Sequence, residues 1–141
     1  MNTLTKSTTA LLLALLLTSC CPCRSYQKKT RRPLTGTTWQ LIQLDGRSVQ
    51  PREGAFSLTL AEGRVSGIGA CNRLSGTYTT TEKRALAFGP IASTRMACPE
   101  QEQERKFLEA LESTTHYDMD GPMLLLLREG ELRAVLQAVD E

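Results

Sequence analysis

Five cysteines are the side chains of this chain with the most reactive chemistry, and their spacing splits them into two groups. Cys20, Cys21 and Cys23 stand together around Pro22, while Cys71 and Cys98 lie far downstream. Cys20 closes the tetrapeptide Leu17-Thr18-Ser19-Cys20, which follows an unbroken alanine and leucine run that starts at Ala10, with Lys6 ahead of it. A basic start, a short apolar centre and small residues at the end read as a secretory signal rather than as a fold element. The run falls well short of the ~20 apolar residues that a membrane-spanning helix needs. The tetrapeptide has the form of a lipobox, in which the cysteine is acylated, as with palmitate, and becomes the new N-terminus. Cys20 fits that role better than Cys21, because Leu17 and Ser19 then hold the apolar and the small position. The expectation is a signal peptide over residues 1–19, lipidation at Cys20, and a protein anchored by lipid in a bacterial cell envelope, at the outer membrane.

With Cys20 acylated, Cys21 and Cys23 are two ligands short of a closed tetrahedral site, so no metal is expected there. Cys71 and Cys98 would lie in an oxidising compartment, where such a pair can form a disulfide. They can equally be two buried thiols packed as small apolar groups. Sequence supplies no distance to choose between these readings. Arrangements that could carry catalysis are few. His116 is the only histidine, in a polar stretch, and reads as a surface residue. Asp118 and Asp120 precede Gly121 as in a calcium loop, but Pro122 and the apolar run Met123 to Leu127 stand where the further acid is needed. A hairpin turn accounts for the same residues. Glu53, Glu62 and Glu82 lie near turns and show no acid–base pairing pattern. Gly63, Gly67 and Gly69 do not lead into a helix, so there is no phosphate-binding loop. The expectation is a protein that is not an enzyme and has no cofactor.

Charge divides the chain as well. Lys and Arg number 17 against 15 Asp and Glu, a net charge of +2. Residues 20–33 hold Arg24, Lys28, Lys29, Arg31 and Arg32, no acid and almost nothing apolar. Such a stretch should stay flexible, because it cannot offset the entropy of ordering. It reads as a basic tether. Beside a lipid anchor it can attract anionic headgroups, at about 1 kcal/mol per basic residue near the surface, or it can be a solvated spacer. From Leu34 onward 11 basic residues face 15 acidic ones, so the body of the protein is acidic. An acidic body in an envelope compartment argues against nucleic acid as a partner.

The elements that must position these residues are mostly strands. From Leu34 to Glu141 there is room for one domain. Apolar and β-branched runs alternate with turn residues every 8 to 12 positions, the pattern of an all-β domain. Strands are predicted over 37–44, 55–60, 64–70, 75–81, 84–88, 116–119, 123–128 and 132–139, with turns at Asp45-Gly46, Glu62-Gly63, Asp120-Gly121 and Glu129-Gly130. Gly67 and Gly69 suggest a bend or a close approach of another backbone. One helix is predicted over about residues 99–113, with Pro99 in its first turn, Glu100, Glu102 and Glu104 at its positive end, and Phe107, Leu108 and Leu111 on one face. The run Met123 to Leu127 is apolar throughout, so that strand is expected to be covered on both faces. Expected core residues are Trp39, Leu41, Phe56, Leu58, Phe88 and Leu125. The fold class is mainly β, a small antiparallel barrel-like domain with one helix.

Two stretches of this domain resemble the paired signatures of the META domain family. They are Gly69-Ala70-Cys71-Asn72-Arg73-Leu74-Ser75-Gly76-Thr77-Tyr78 and Ala92-Ser93-Thr94-Arg95-Met96-Ala97-Cys98-Pro99. Leu34 to Trp39, Phe107 to Leu111 and Met123 to Leu127 agree in the same order, so the resemblance spans about residues 34–139. Ala70 between Gly69 and Cys71 departs from the simplest form of the pattern. The resemblance implies a β-barrel-like domain with one helix, on a bacterial envelope lipoprotein like the heat-shock protein HslJ. It also implies a role in heat or envelope stress and in antibiotic resistance, without enzymatic activity.

Read physically, Asn72 can bond its own backbone in a turn and Gly76 can allow a tight bend. Thr94 and Arg95, just before the helix, can satisfy nearby carbonyls or carboxylates. The alternative makes Asn72, Arg73, Thr94 and Arg95 a polar patch that contacts a ligand or partner. Three functions stand at this point: a lipid-anchored protein that binds an envelope protein or an anionic lipid, a carrier of a small ligand in the barrel interior, and an enzyme. The first is the expectation, because no nucleophile–base pair is found and Trp, Phe and Leu suffice to fill a small barrel.

Overall fold

The computed structural model describes residues 22–139. The expected signal peptide over residues 1–19, the expected lipidation residue Cys20, and Cys21 lie outside them. Ten strands follow in chain order: β1 Thr38–Leu44, β2 Arg47–Ser48, β3 Ser57–Ala61, β4 Arg64–Ile68, β5 Arg73–Thr80, β6 Leu86–Phe88, β7 Ala92–Ser93, β8 His116–Asp120, β9 Met123–Arg128 and β10 Glu131–Val139. Two helices accompany them, α1 Pro22–Thr30 and α2 Gln101–Glu112. The strands pair antiparallel in the order β6-β5-β4-β3-β1-β10-β9-β8, with β2 beside β1 and β7 beside β5. The two end strands then meet. Ala85 and His116 form an isolated bridge, Leu86 N–H donates to the Thr115 carbonyl at 3.0 Å, and Tyr117 N–H donates to the Arg84 carbonyl at 3.0 Å. The sheet therefore curls round on itself but is not closed by a continuous ladder.

Alternation drives the curl. Trp39, Leu41, Leu58, Leu60, Val65, Leu74, Leu86, Leu124, Leu126 and Leu136 turn inward from seven strands and are buried. Their polar neighbours face out, as a one-sided sheet requires. Trp39 is 0 % exposed, and its indole N–H donates to the Leu34 carbonyl at 3.1 Å, so its polar atom is satisfied. Helix α2 lays Phe107, Ala110 and Leu111 on β1, β6 and β10. Phe107 meets Phe56 edge to face, with ring centroids 5.8 Å apart. Asp45-Gly46, Glu62-Gly63 and Glu129-Gly130 have positive φ at both residues, as the tight turns that match strand twist demand.

Several expectations need correction. The segment 20–33 is not featureless: α1 forms there, making two helices rather than one. Helix α2 begins at Gln101 behind Glu100, so Pro99 precedes the helix instead of opening it. Leu125 is only half-buried, and β9 alternates, with Leu124 and Leu126 inward and Met123, Leu125 and Leu127 on the outer face. A continuous apolar run thus serves one buried face, because the sheet is one layer here. The β8–β9 turn is shifted by one residue. Asp120 still pairs with Met123, and Gly121, with φ +56°, is the first of the two turn residues. Of the two strand glycines, Gly67 sits at a close approach: an added Cβ would stand 2.1 Å from the Ser57 carbonyl oxygen.

Candidate functional site

The two signature stretches meet in space. The first forms the β4–β5 connection and enters β5; the second is β7 and the segment leading to α2. Sheet pairing holds them side by side, with Leu74 opposite Ser93 and Ser75 opposite Ala92. Thr94 N–H continues the contact by donating to the Arg73 carbonyl at 3.1 Å. Cys71 and Cys98 are joined in a disulfide with Cα atoms 6.3 Å apart. That bond ties the start of β5 to the segment just before α2.

Asn72 is 3 % exposed and links three segments. Its Oδ1 accepts from Thr94 Oγ1 at 2.9 Å and from Met96 N–H at 2.7 Å. Its Nδ2 donates to the Met96 carbonyl at 3.2 Å and to Glu104 Oε1 at 2.7 Å. Thr94 Oγ1 also accepts from Arg73 N–H at 3.0 Å. Asn72 therefore does not cap its own turn; it reads the backbone of the other signature. Gly76 makes no tight bend either. It lies within β5, where a Cβ would come 3.1 Å from the Pro90 carbonyl oxygen.

Glu104 completes the cluster, and it was not singled out from sequence as a site residue. It is 5 % exposed. Its Oε2 accepts from the backbone N–H groups of Ala70 at 2.7 Å, Cys71 at 3.3 Å and Asn72 at 3.4 Å. Successive N–H groups converging on one oxygen form an anion-binding concavity, here filled by the protein's own carboxylate. Gly69 makes room for it: a Cβ there would lie 2.4 Å from Glu104 Oε2. The signal in the sequence was an acid at the helical spacing of Phe107 and Leu111, on the apolar face of α2. An acid on a buried face needs donors, and a neighbouring loop must bring them.

The sulfurs of Cys71 and Cys98 and a Glu104 carboxylate oxygen lie within 4.8 Å of one another, a trio of metal-ligating types. In this state the sulfurs are bonded to each other and both Glu104 oxygens hold hydrogen bonds, so the trio is committed to structure. Arg73 and Arg95 differ from the rest of the patch. Both are exposed, and neither guanidinium has an ion-pair partner among the described residues. Met96, beside Arg95, is 61 % exposed. A groove of about 1020 Å³ runs between this segment and α2, lined by Ile91, Thr94, Arg95, Glu102, Arg105 and Leu108 among others. On its rim the side-chain hydrogen bond from Arg105 holds the Glu102 carboxyl below the usual range, and the same bond raises Arg105. Both groups are solvated, so the pair adds little stability.

His116 is remote from this chemistry in its bonding. It sits at the β6–β8 meeting, exposed, with Nδ1 3.1 Å from Thr115 Oγ1. Asp118 pairs with Arg84 and Asp120 accepts from Gln27. Cys23 is exposed and free, next to residues that are not described.

The model of the META domain family matches residues 32–140. Among solved structures, an NMR structure of a Burkholderia xenovorans protein is similar, with a TM-score of 0.59 and 29% identity over 77% of this chain and 85% of that one. A crystal structure of a DUF4847 family protein from Bacteroides vulgatus has a TM-score of 0.58 at 20% identity, covering 76% of this chain and 94% of its own. The latter likeness is one of fold. No curated protein matches the chain significantly.

Proposed function

We propose a function that starts from one fact: the chain belongs to the META domain family. On our reading it is an HslJ-type lipoprotein of the bacterial cell envelope, held by a lipid on Cys20 after loss of residues 1–19. It acts by binding rather than by catalysis, and serves envelope or heat-stress tolerance and antibiotic resistance. The observation that carries this reading is how the signature side chains are used. The polar atoms of Asn72, Thr94 and Glu104 and the sulfurs of Cys71 and Cys98 are engaged within the cluster, while the long side chains of Arg73, Arg95 and Met96 are exposed. Polar groups already satisfied by structure are poorly placed to hold or move substrate protons. Exposed cations and an exposed methionine beside a groove suit a partner surface, where Arg and Met are enriched. The carrier reading has less support, because large side chains from every long strand occupy the barrel interior.

Two variants test this. Cys20→Ser should abolish incorporation of labelled fatty acid and release the protein from membranes, while circular dichroism of the domain stays native. Retained acylation would move the anchor to Cys21 or remove it from the proposal. Arg73→Ala with Arg95→Ala should keep the unfolding midpoint, within about 0.5 kcal/mol for exposed positions, yet fail to restore stress tolerance to a deletion strain. Full complementation by that pair, together with loss on His116→Ala, would favour an enzyme instead.

A further inference from the structure

We propose that α1 and the β8–β9 end of the barrel form a cationic groove that holds the phosphate of an anionic lipid headgroup. The groove, about 370 Å³, is lined by Arg24, Gln27, Lys28, Arg31, Arg84 and Met119. That volume sits at the lower end of the ~300–1,000 Å³ typical of small-ligand clefts. Arg24 and Lys28 stand four apart on α1, and Arg31 follows its last residue with its N–H donating to the Gln27 carbonyl at 3.1 Å, so the three continue one stripe at i, i+4 and i+7. They are exposed, and none has an ion-pair partner among the described residues. Arg84 lines the same groove from the turn between β5 and β6, paired with Asp118. The acids nearby are Asp118, shared with Arg84, and Asp120, which accepts from Gln27, so the cations outnumber them.

What makes this a groove rather than a diffuse basic tail is docking. Gln27 clamps α1 to the β8–β9 turn: its amide donates to Asp120, and its Oε1 accepts the Gly121 N–H at 2.6 Å. Thr30 and Tyr26 close over the same glycine, where a Cβ would meet Thr30 Oγ1 at 2.9 Å. Like charges at i, i+4 spacing weaken an isolated helix, and nine residues are too few to be stable alone. A phosphate between Arg24, Lys28, Arg31 and Arg84 relieves that repulsion and gives the guanidiniums of Arg24, Arg31 and Arg84 a bidentate partner. The choice of a lipid as the source of the phosphate rests on the anchor reading above. Arg24 follows Cys20 by four residues, so its Cα lies at most about 14 Å from the proposed lipidated residue.

The test uses the full chain carrying Cys20→Ser in neutral detergent, so that acylation does not enter. It is titrated separately with dihexanoyl phosphatidylglycerol, dihexanoyl phosphatidylcholine and inorganic phosphate, and the Gly121 amide resonance is followed. Saturable shifts are expected with phosphatidylglycerol and none with phosphatidylcholine. Gln27→Ala, which keeps every charge, and Arg84→Gln should each weaken phosphatidylglycerol binding about tenfold, and Arg84→Lys should restore part of it. Unchanged affinity in both Gln27→Ala and Arg84→Gln, with loss only when Arg24, Lys28 and Arg31 are neutralised, would overturn the groove in favour of a flexible basic tail. Equal affinity for inorganic phosphate would overturn the lipid headgroup. Loss of fatty-acid labelling in the parent chain bears on the anchor alone.

Discussion

Glu104 is a nearly buried carboxylate, and its donors make that burial tolerable. Three backbone N–H groups and the Asn72 amide surround its two oxygens. Glu104→Gln keeps the size but places an NH₂ group where one set of donors converges. We expect a loss of about 2–4 kcal/mol in urea denaturation, from weakened charge-assisted bonds and unpaired N–H groups. An unchanged midpoint would remove Glu104 from the centre of the cluster. Gly69 shares the explanation, because its missing Cβ is the space the carboxylate occupies. Phe56 shows a different residue-scale cost. It holds φ +50°, uncommon for an aromatic, and is kept there by its edge-to-face contact with Phe107 and by burial.

Among elements, the disulfide has the longest reach. It joins Cys71 to Cys98 across a separation of 27 residues and so fixes the entry to β5 against the entry to α2. In the chain-entropy model a loop of that length stabilises by roughly 3–4 kcal/mol. Thiol labelling of unfolded, unreduced protein should therefore find neither Cys71 nor Cys98, and reduction should lower stability by about that amount. Labelling of both before reduction would show two free thiols. Helix α1 is the opposite kind of element. Its hold on the barrel runs through Gln27, Thr30 and Tyr26 at one turn, with no apolar face comparable to that of α2.

At the scale of the whole molecule, the barrel is held by what fills it. Trp39 stands among Leu41, Leu58, Leu60, Leu124 and Leu136 in the buried cluster, pairing across the sheet with Leu58 on one side and Ala138 on the other. Trp39→Ala should cost about 3–5 kcal/mol, enough to unfold a domain of ordinary stability. Its fluorescence in the native protein should be blue-shifted and poorly quenched by iodide. A small cost, with gain of an apolar probe, would mean an interior able to take a ligand. The curl of the sheet has a further consequence. Because β6 and β8 meet through a single bridge made of two backbone hydrogen bonds, that seam is the weakest line of the barrel and should exchange its amides first.

How much of this could be read beforehand depends on the range of the interactions. The eight longer strands, the hairpin turns and α2 were legible to within a few residues, because alternation, turn chemistry and helical spacing are local; β2 and β7, two residues each, were not, because so short a run carries no alternation. So were Trp39, Leu41, Phe56, Leu58 and Phe88 as core. Leu125 was misplaced because five apolar residues in a row do not say which alternate set faces inward; pairing with β10 and β8 decides that. The family signatures were visible as strings, yet the use of Asn72 was not. Its partners, Met96 and Glu104, lie 24 and 32 residues away and reach it only when β7 pairs with β5 and α2 packs on the barrel. The same holds for α1. By itself the segment is a polar, cationic stretch with every reason to be disordered. It becomes a helix against the β8–β9 turn because Gln27 meets Asp120 and Gly121 more than ninety residues on. Sequence alone determined the local periodicities and the chemical types; the juxtaposition of Cys71 with Cys98, of Glu104 with three amides, and of Arg84 with Arg24, Lys28 and Arg31 around one groove belongs to the tertiary structure, since only a curled sheet brings residues so distant in the chain together.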